Sequence, residues 1–384
     1  MIKKQTKEST SLLRQAVPPD MRQLTELHVH LGGSVPIYRL WEMGIMRGIR
    51  GAADSYEEFV RRMHRTNERT ENLDQYLEIF DTVELIQAGP DGVRESILIA
   101  INGAYRTGGM RQLGPGGEGG DPDPVFEINR LELRFNPMKR TGLMLSRGAV
   151  SGLFDADRII RAACDAVVQS EIAYKGAIQA GLIICFARDL PWEVNRSLAE
   201  KIRYWKKSQK KIIGIDLAGP ESVLPLDNPG DLERMAEVFD CAGDDLGRTV
   251  HVGETPHTSL DTFLATLRAL KPQRVAHPVV AARAFWQNND ARGLELLAEM
   301  NICCELCVKS NLLTRALDTP EEYGKFIALL DDFGIRYTFS TDSPALQMTT
   351  LANEMEFLLE HSAITPEQLL KAFKNAEAAS FLRA

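Results

Sequence analysis

Short, nearly continuous apolar runs alternate along this chain with longer stretches whose apolar residues recur at helical spacing. The runs are TELHVH (25–30), INRLELRF (128–135), GLIICFAR (181–188), KIIGIDLAG (211–219), RTVHVGE (248–254), RVAH (274–277), NICCELC (301–307) and IRYTFSTD (335–342). Runs of this kind suit parallel strands buried on both faces. Helical spacing fills most of the gaps, as in 155–180 and in 260–272, where Pro272 marks a stop. Eight strands alternating with helices predict an α/β fold, a (β/α)8 TIM barrel, with an open doubly wound sheet as the alternative.

No repeat or composition break divides the chain, so a single domain over 1–384 is expected. The first strand-to-helix connection is unusually long. Residues 36–110 read as helical, with 55–86 forming two helices about a hinge near Glu71, placed to act as a lid. Gly, Pro and Asp crowd 108–124, which reads as a flexible loop; no Lys-Ser/Thr closes it, so it is not a phosphate cradle. Residues 1–20 read as a flexible tail. Helices over 349–363 and 365–384 are expected outside the last strand, the second opened by Thr365 as cap and Pro366 in the first turn.

Composition removes several function classes. The 384 residues carry a net charge of −8, so the chain offers no basic footprint for nucleic acid. The local run RYWKKSQKK (203–211) reads as the solvated end of a helix. No apolar run approaches the roughly 20 residues of a membrane helix. The N-terminus has charges but no apolar core of a signal peptide, and a cytoplasmic location is expected. The six cysteines are then expected to be reduced. CCELC (303–307) lacks a matching second C-x-x-C and reads as packing rather than a zinc site.

The candidate chemistry lies at the ends of strands, the catalytic face of a barrel. His28 and His30 are two apart in a strand and therefore point to one side, followed at once by two glycines. His251, His277 and Asp342 fall in or just after three other runs. Singly, Asp342 reads as a turn residue, His251 as a core histidine and His277 as a strand terminator. Together, His28, His30, His251 and Asp342 make a site for zinc or a similar transition metal with room for water. Glu254, three residues after His251, is placed to transfer a proton without binding the metal. His277, further around the barrel, is expected to orient or deprotonate water rather than ligate.

These residues resemble a known family. ELHVHLGGS is similar to the H-x-H-L-D-G-S signature of the adenosine deaminase family, HVGE to its H-A-G-E, RVAH to its R-I-G-H and STDSP to its T-D-D-P. NLDQYLEIFD, LELRFNP, GIDLAGPE, ELCVKSNLLT and KNAEAASF follow in the same order. The resemblance implies the metal-dependent (β/α)8 barrel and one Zn2+ per chain on His28, His30, His251 and Asp342. It implies that Glu254 protonates a purine ring nitrogen. Water activated by the zinc and held by His277 and Asp342 then attacks the amino-bearing carbon, and ammonia leaves. Gly219 would offer its backbone N–H to the purine, and His30 would lie beside the substrate.

Two positions depart from the family pattern. Gly32 replaces the acid that helps hold the sugar, and Ser343 replaces the aspartate that hydrogen-bonds the purine. Both are substrate contacts, so the expected substrate is an aminopurine nucleoside or modified adenine compound, with a larger or anionic sugar side tolerated. Nothing in the sequence fixes how many chains assemble. Two other classes compete: another mononuclear-metal hydrolase of the amidohydrolase superfamily, and a deaminase-like binding protein without activity. Two-metal relatives use a carboxylated lysine on strand 4, where this chain has Asp216. Loss of activity usually removes a ligand or the proton donor, and all are present.

Overall fold

The structure, a computed structural model, describes residues 11–49, 55–63, 70, 72–109, 126–142, 144–146, 149–151 and 153–382. Eight strands form one parallel sheet in chain order: β1 Gln23–His30, β2 Glu127–Phe135, β3 Gln179–Ala187, β4 Ile212–Ala218, β5 Gly247–His251, β6 Arg274–Ala276, β7 Cys303–Leu306 and β8 Arg336–Phe339. The sheet closes on itself just beyond β8. Asp342 bridges to Val29, its N–H donating to the His28 carbonyl at 2.8 Å and its carbonyl accepting from His30 N–H at 2.7 Å. The eight apolar runs are thus the eight strands, and the sheet is a TIM-like barrel rather than open.

The helices in chain order are α1 Leu12–Ala16, α2 Ile37–Met46, α3 Tyr56–Met63, α4 Leu73–Ile86, α5 Gly89–Gly109, α6 Ala156–Ala173, α7 Trp192–Trp205, α8 Pro229–Ala242, α9 Leu260–Leu270, α10 Val279–Asn288, α11 Arg292–Glu299, α12 Val308–Leu313, α13 Pro320–Asp332, α14 Leu351–Glu360 and α15 Pro366–Ala379. None is long and apolar enough to cross a membrane among the described residues. Three expectations need correction. The helix expected over 155–180 stops at Ala173, because Lys175 and Gly176 take left-handed φ of 53° and 75° and turn the chain into β3. The tail expected to be loose is anchored from residue 11 onward. The Glu356 carboxylate on α14 accepts from the Ser11 hydroxyl and the Leu12 and Leu13 amides, each at 2.8 Å, and Leu13 and Val17 are buried in the main core. The last helix has the expected Thr365 cap and Pro366 start, with Gln368 completing a capping box, but ends at Ala379.

The excursion after β1 comprises α2 to α5. It carries its own small core, with Leu40, Met43, Phe59, Tyr76, Ile79 and Val83 packed together and against Leu346. This ties α4 firmly over the barrel mouth. The hinge expected near Glu71 lies outside the described residues. Of the loop expected over 108–124, residues 108 and 109 close α5 and the rest lie outside the described residues.

A chain of charges runs through the barrel interior. Glu132 and Arg134, two apart on β2, share the inward face. Arg134 forks between Asp216 Oδ2 at 3.0 Å and Glu305 Oε2 at 2.9 Å, and also donates to the Leu27 carbonyl. Arg274 joins Glu305 Oε1 at 2.6 Å to Glu132 Oε2 at 2.7 Å. At the far end Glu132 accepts from the Phe381 amide, while the Phe381 ring lies under the Arg274 guanidinium. Only glycine fits beside that ring: a Cβ at Gly247 would come within 2.2 Å of it, and one at Gly214 within 2.9 Å.

All five charged side chains are fully buried. Removing the cation from such a group leaves uncompensated buried carboxylates, at a cost of about 3–5 kcal/mol. Arg134→Met is therefore expected to lower the thermal unfolding midpoint by many degrees. A midpoint within about a degree of wild type would show that Asp216 and Glu305 need no cation between them.

Candidate active site

The C-terminal ends of β1, β5 and β6 bring four imidazoles together. His28 and His30 leave β1 on the same face, and His251 ends β5. Their Nε2 atoms form a near-equilateral triangle, with edges of 3.2 Å (His28–His30), 3.1 Å (His30–His251) and 3.1 Å (His28–His251). Asp342 Oδ1 lies 3.6 Å from His30 Nε2 and 3.9 Å from His28 Nε2. Zinc–nitrogen bonds of about 2.0–2.1 Å at tetrahedral angles place neighbouring donor atoms roughly 3.3 Å apart. The triangle has that size.

The outer partners set the imidazoles for such a role. His251 Nδ1 lies 3.1 Å from Asp216, and a carboxylate only accepts, so the proton sits on Nδ1 and the Nε2 lone pair faces the centre. His28 Nδ1 lies 2.8 Å from Glu305 Oε2, close but out of hydrogen-bond alignment. Burial, then the nearby Arg134 charge, holds His28 well below the ordinary imidazole range. Burial likewise lowers His30 to about 3, against the opposing pull of Asp342. For His251, burial also disfavours the charged ring, but the Asp216 carboxylate outweighs it and the pKa is raised. Asp342 is kept ionised although burial opposes it, because His30, His277 and the Ser310 hydroxyl stabilise its charge. That hydroxyl donates to Asp342 Oδ2 at 2.5 Å.

His277 sits closer to this centre than expected from the sequence. Its strand, β6, pairs directly with β5, and its ring centroid lies 5.2 Å from that of His28 and 5.4 Å from that of His251. The Asn311 amide donates to His277 Nδ1 at 3.0 Å, and Tyr323 O–H donates to Asn311 Oδ1 at 3.1 Å, which fixes the amide's orientation. A neutral His277 therefore carries its proton on Nε2. His277 and Asp342 both have left-handed backbones, φ 54° and 62°. Such strain in non-glycine residues clusters at functional sites.

Glu254 is held in place by a glycine turn. Glu221 accepts from the Gly253 and Thr255 amides at 2.6 and 2.9 Å, and Gly253 has φ 88° with no room for a Cβ beside Val280. Glu254 Oε1 accepts from the Thr314 hydroxyl at 2.8 Å. Burial raises the Glu254 carboxyl above its ordinary range, only partly opposed by His277 and Thr314. A raised carboxyl is suited to hold and donate a proton near neutrality.

A cleft of about 320 Å³ opens onto these groups, with His30, His251, Glu254, His277 and Asp342 at its floor. Gly32, Gly219, Tyr76 and Phe80 line its walls. Gly219 has φ 103°, and a Cβ there would stand 3.3 Å from the Arg188 amide nitrogen and from Asp189 Oδ1, so the bare backbone faces the cleft. Ser343, expected as a substrate contact, does not reach it. The side chain is fully buried, and its hydroxyl donates to Asp342 Oδ1 at 3.2 Å. Ser343 thus stands behind the cleft, between Asp342 and the cleft-wall residue Tyr76. Sequence reasoning missed Arg134, Glu305, Asn311 and Thr314. Glu305 carried a signal, as the one charged residue in its otherwise mostly apolar run, and Arg134 a weaker one, as a charge at every second position of its strand beside Glu132.

Comparison with known proteins gives the same reading. The family model described as Adenosine deaminase matches residues 127–384. An adenosine deaminase of Aliivibrio fischeri is 26% identical over 364 residues, covering 94% of this chain and 93% of its own. Among solved structures, adenine deaminase from Arthrobacter aurescens superposes with a TM-score of 0.71 at 17% identity, covering 96% of this chain and 95% of its own. The Arabidopsis N6-mAMP deaminase gives 0.69 at 17% identity, covering 95% and 96%. An amidohydrolase of Burkholderia ambifaria, solved with bound Zn, gives 0.71 at 16% identity, covering 99% and 91%. These chains share the fold; the matched model, spanning well over half of the sequence, decides the family. The chain belongs to the adenosine deaminase family and is one of its aminohydrolases.

Proposed function

We propose that the protein hydrolytically deaminates an aminopurine nucleoside or a modified adenine compound, releasing ammonia, with one zinc ion on His28, His30, His251 and Asp342. The reading rests on one observation: three imidazole Nε2 atoms lie within 3.2 Å of one another, and two of those rings, His30 and His251, line a cleft together with a buried carboxyl of raised pKa. Bound there, zinc would supply the Lewis acidity that makes water a nucleophile near neutral pH. Glu254 gives its proton to the purine ring nitrogen, which draws electrons from the adjacent amino-bearing carbon. Asp342 accepts a proton from the attacking water and passes it to the amino nitrogen; the C–N bond then breaks, ammonia leaves, and the remaining hydroxyl proton returns to Glu254. His277, carrying its proton on Nε2, donates a hydrogen bond to the oxygen and so orients it. Its role is therefore closer to polarisation than to proton abstraction. Gly219 N–H holds the purine edge. The whole chain, 1–384, acts as one domain, with α2 to α4 as a fixed roof. The two-metal alternative finds no support in β4, since Asp216 is fully buried between Arg134 and His251.

Three outcomes follow. Chelation, or His251→Ala, is expected to remove about one zinc per chain and abolish ammonia release; full turnover by the metal-free protein, with zinc measured by plasma emission, would contradict the ligand set. Glu254→Gln keeps the shape of the site but loses the transferable proton. Its kcat should fall about 10²–10⁴-fold with metal content unchanged, whereas an unaltered rate would reduce Glu254 to a turn residue. Finally, Gly32 leaves the sugar side without the family's acid, so unmodified adenosine should be a poor substrate. Steady-state kcat/KM for adenosine at or above about 10⁵ M⁻¹s⁻¹ would refute that.

A further inference from the structure

We infer that Glu354, on α14, is a positioning residue for the reaction: it holds the start of α12, the short segment whose side chains hydrogen-bond Asp342, His277 and Glu254. It builds on the aminopurine reading above and adds a residue that stands outside the cleft lining and is hydrogen-bonded to none of the reacting groups. α12, with the Thr314 that ends it, reaches all three groups assigned to handle protons. The Ser310 hydroxyl donates to Asp342 Oδ2 at 2.5 Å, the Asn311 amide lies 3.0 Å from His277 Nδ1, and the Thr314 hydroxyl donates to Glu254 Oε1 at 2.8 Å. Ser310 and Thr314, four apart, share one face of the helix, with Asn311 beside them. A shift of this helix therefore moves the three contacts together.

The helix needs such support. Its six residues make fewer than two turns, too few to be stable alone. Its cap residue, Cys307, makes no side-chain hydrogen bond to the first turn, so those amides need an acceptor from elsewhere. Glu354 supplies one from a separate helix. Its Oε2 accepts from the Lys309 amide at 2.8 Å, and its Oε1 accepts from the Thr349 hydroxyl at 2.5 Å, which fixes the carboxyl. At the other end of α12 the Thr70 hydroxyl donates to the Leu313 carbonyl at 2.9 Å. The helix is thus held at both ends by parts of the chain distant in sequence.

What Glu354 gives α12 is an acceptor in a fixed place rather than a charge. The residue is buried, and burial raises its carboxyl to about 7, so part of its charge is lost near neutral pH. A glutamine amide there still offers an oxygen to the Lys309 N–H, whereas an aspartate keeps the acid but falls one methylene short. The two substitutions separate reach from charge.

The test measures ammonia release by zinc-loaded, folded protein, so that lost stability alone leaves kcat unmoved. Misplacing catalytic groups by about 1 Å can cost on the order of 10²-fold in rate. Glu354→Leu and the milder Glu354→Asp should each lower kcat by about 10- to 100-fold with little change in KM, while Glu354→Gln keeps a rate close to wild type. Should the leucine variant fail to fold, the aspartate variant carries the comparison. Ser310→Ala and Thr314→Val should each cost less beside Glu354→Asp than in wild type, because the contacts they remove are already displaced. Deuterium uptake over residues 306–316, which needs no substrate, should rise in Glu354→Asp and return to wild type in Glu354→Gln. Wild-type kcat in Glu354→Asp, a rate lost in Glu354→Gln but kept in Glu354→Asp, or fully additive costs with Ser310→Ala and Thr314→Val would each overturn the inference. If wild type releases ammonia from no purine, the proposed function fails instead. Unchanged uptake over 306–316 in Glu354→Asp then overturns the positioning role, and raised uptake upholds it.

Discussion

The site depends on one buried arginine. Arg134 is shared by Asp216 and Glu305, and these two carboxylates face His251 and His28. Two carboxylates beside imidazoles inside a barrel would be costly to keep ionised without a cation between them. With Arg134 in place, Glu305 is held below the ordinary carboxylate range even though burial pushes the other way. Asp216 is lowered as well, against the same opposition from burial, by His251 and Arg134. Apolar side chains of the same volume are often at least as stabilising as buried ion pairs. What the charges supply is orientation: a fixed tautomer for His251 and a fixed ring position for His28.

The fold was legible because strands buried on both faces write their positions as apolar runs, and eight such runs admit few arrangements. The candidate metal ligands were legible because histidine is rare and four of them sit in or just after those runs. Other features depended on contacts between parts of the chain far apart in sequence. The α1 segment is short and weakly helical by itself, and it is ordered by Glu356 on a distant helix. Ser343 was expected at the substrate because it stands in the place of the family's second aspartate; its burial and its hydrogen bond to Asp342 Oδ1 depend on packing that no spacing rule reveals. The tautomer of His277 likewise depends on Asn311 and Tyr323, whose roles emerge only once α12 and α13 are packed.

The roof over the cleft has a comparable logic. Because α2 to α4 share a separate apolar core, the cleft wall formed by Tyr76 and Phe80 is held by packing rather than by the ligand. The same packing leaves little slack at position 32, where a Cβ would stand 3.1 Å from the Phe80 ring.

The closing seam of the barrel has a consequence for how the protein is made. The hydrogen bonds that join the last strand to the first run through His28, His30 and Asp342, the same residues that converge on the candidate metal centre. His28 and His30 leave the ribosome some three hundred residues before Asp342. A partly made chain can neither seal its barrel nor complete its donor set. A product cut off before Asp342 would therefore keep an open sheet edge and lack one member of the candidate donor set.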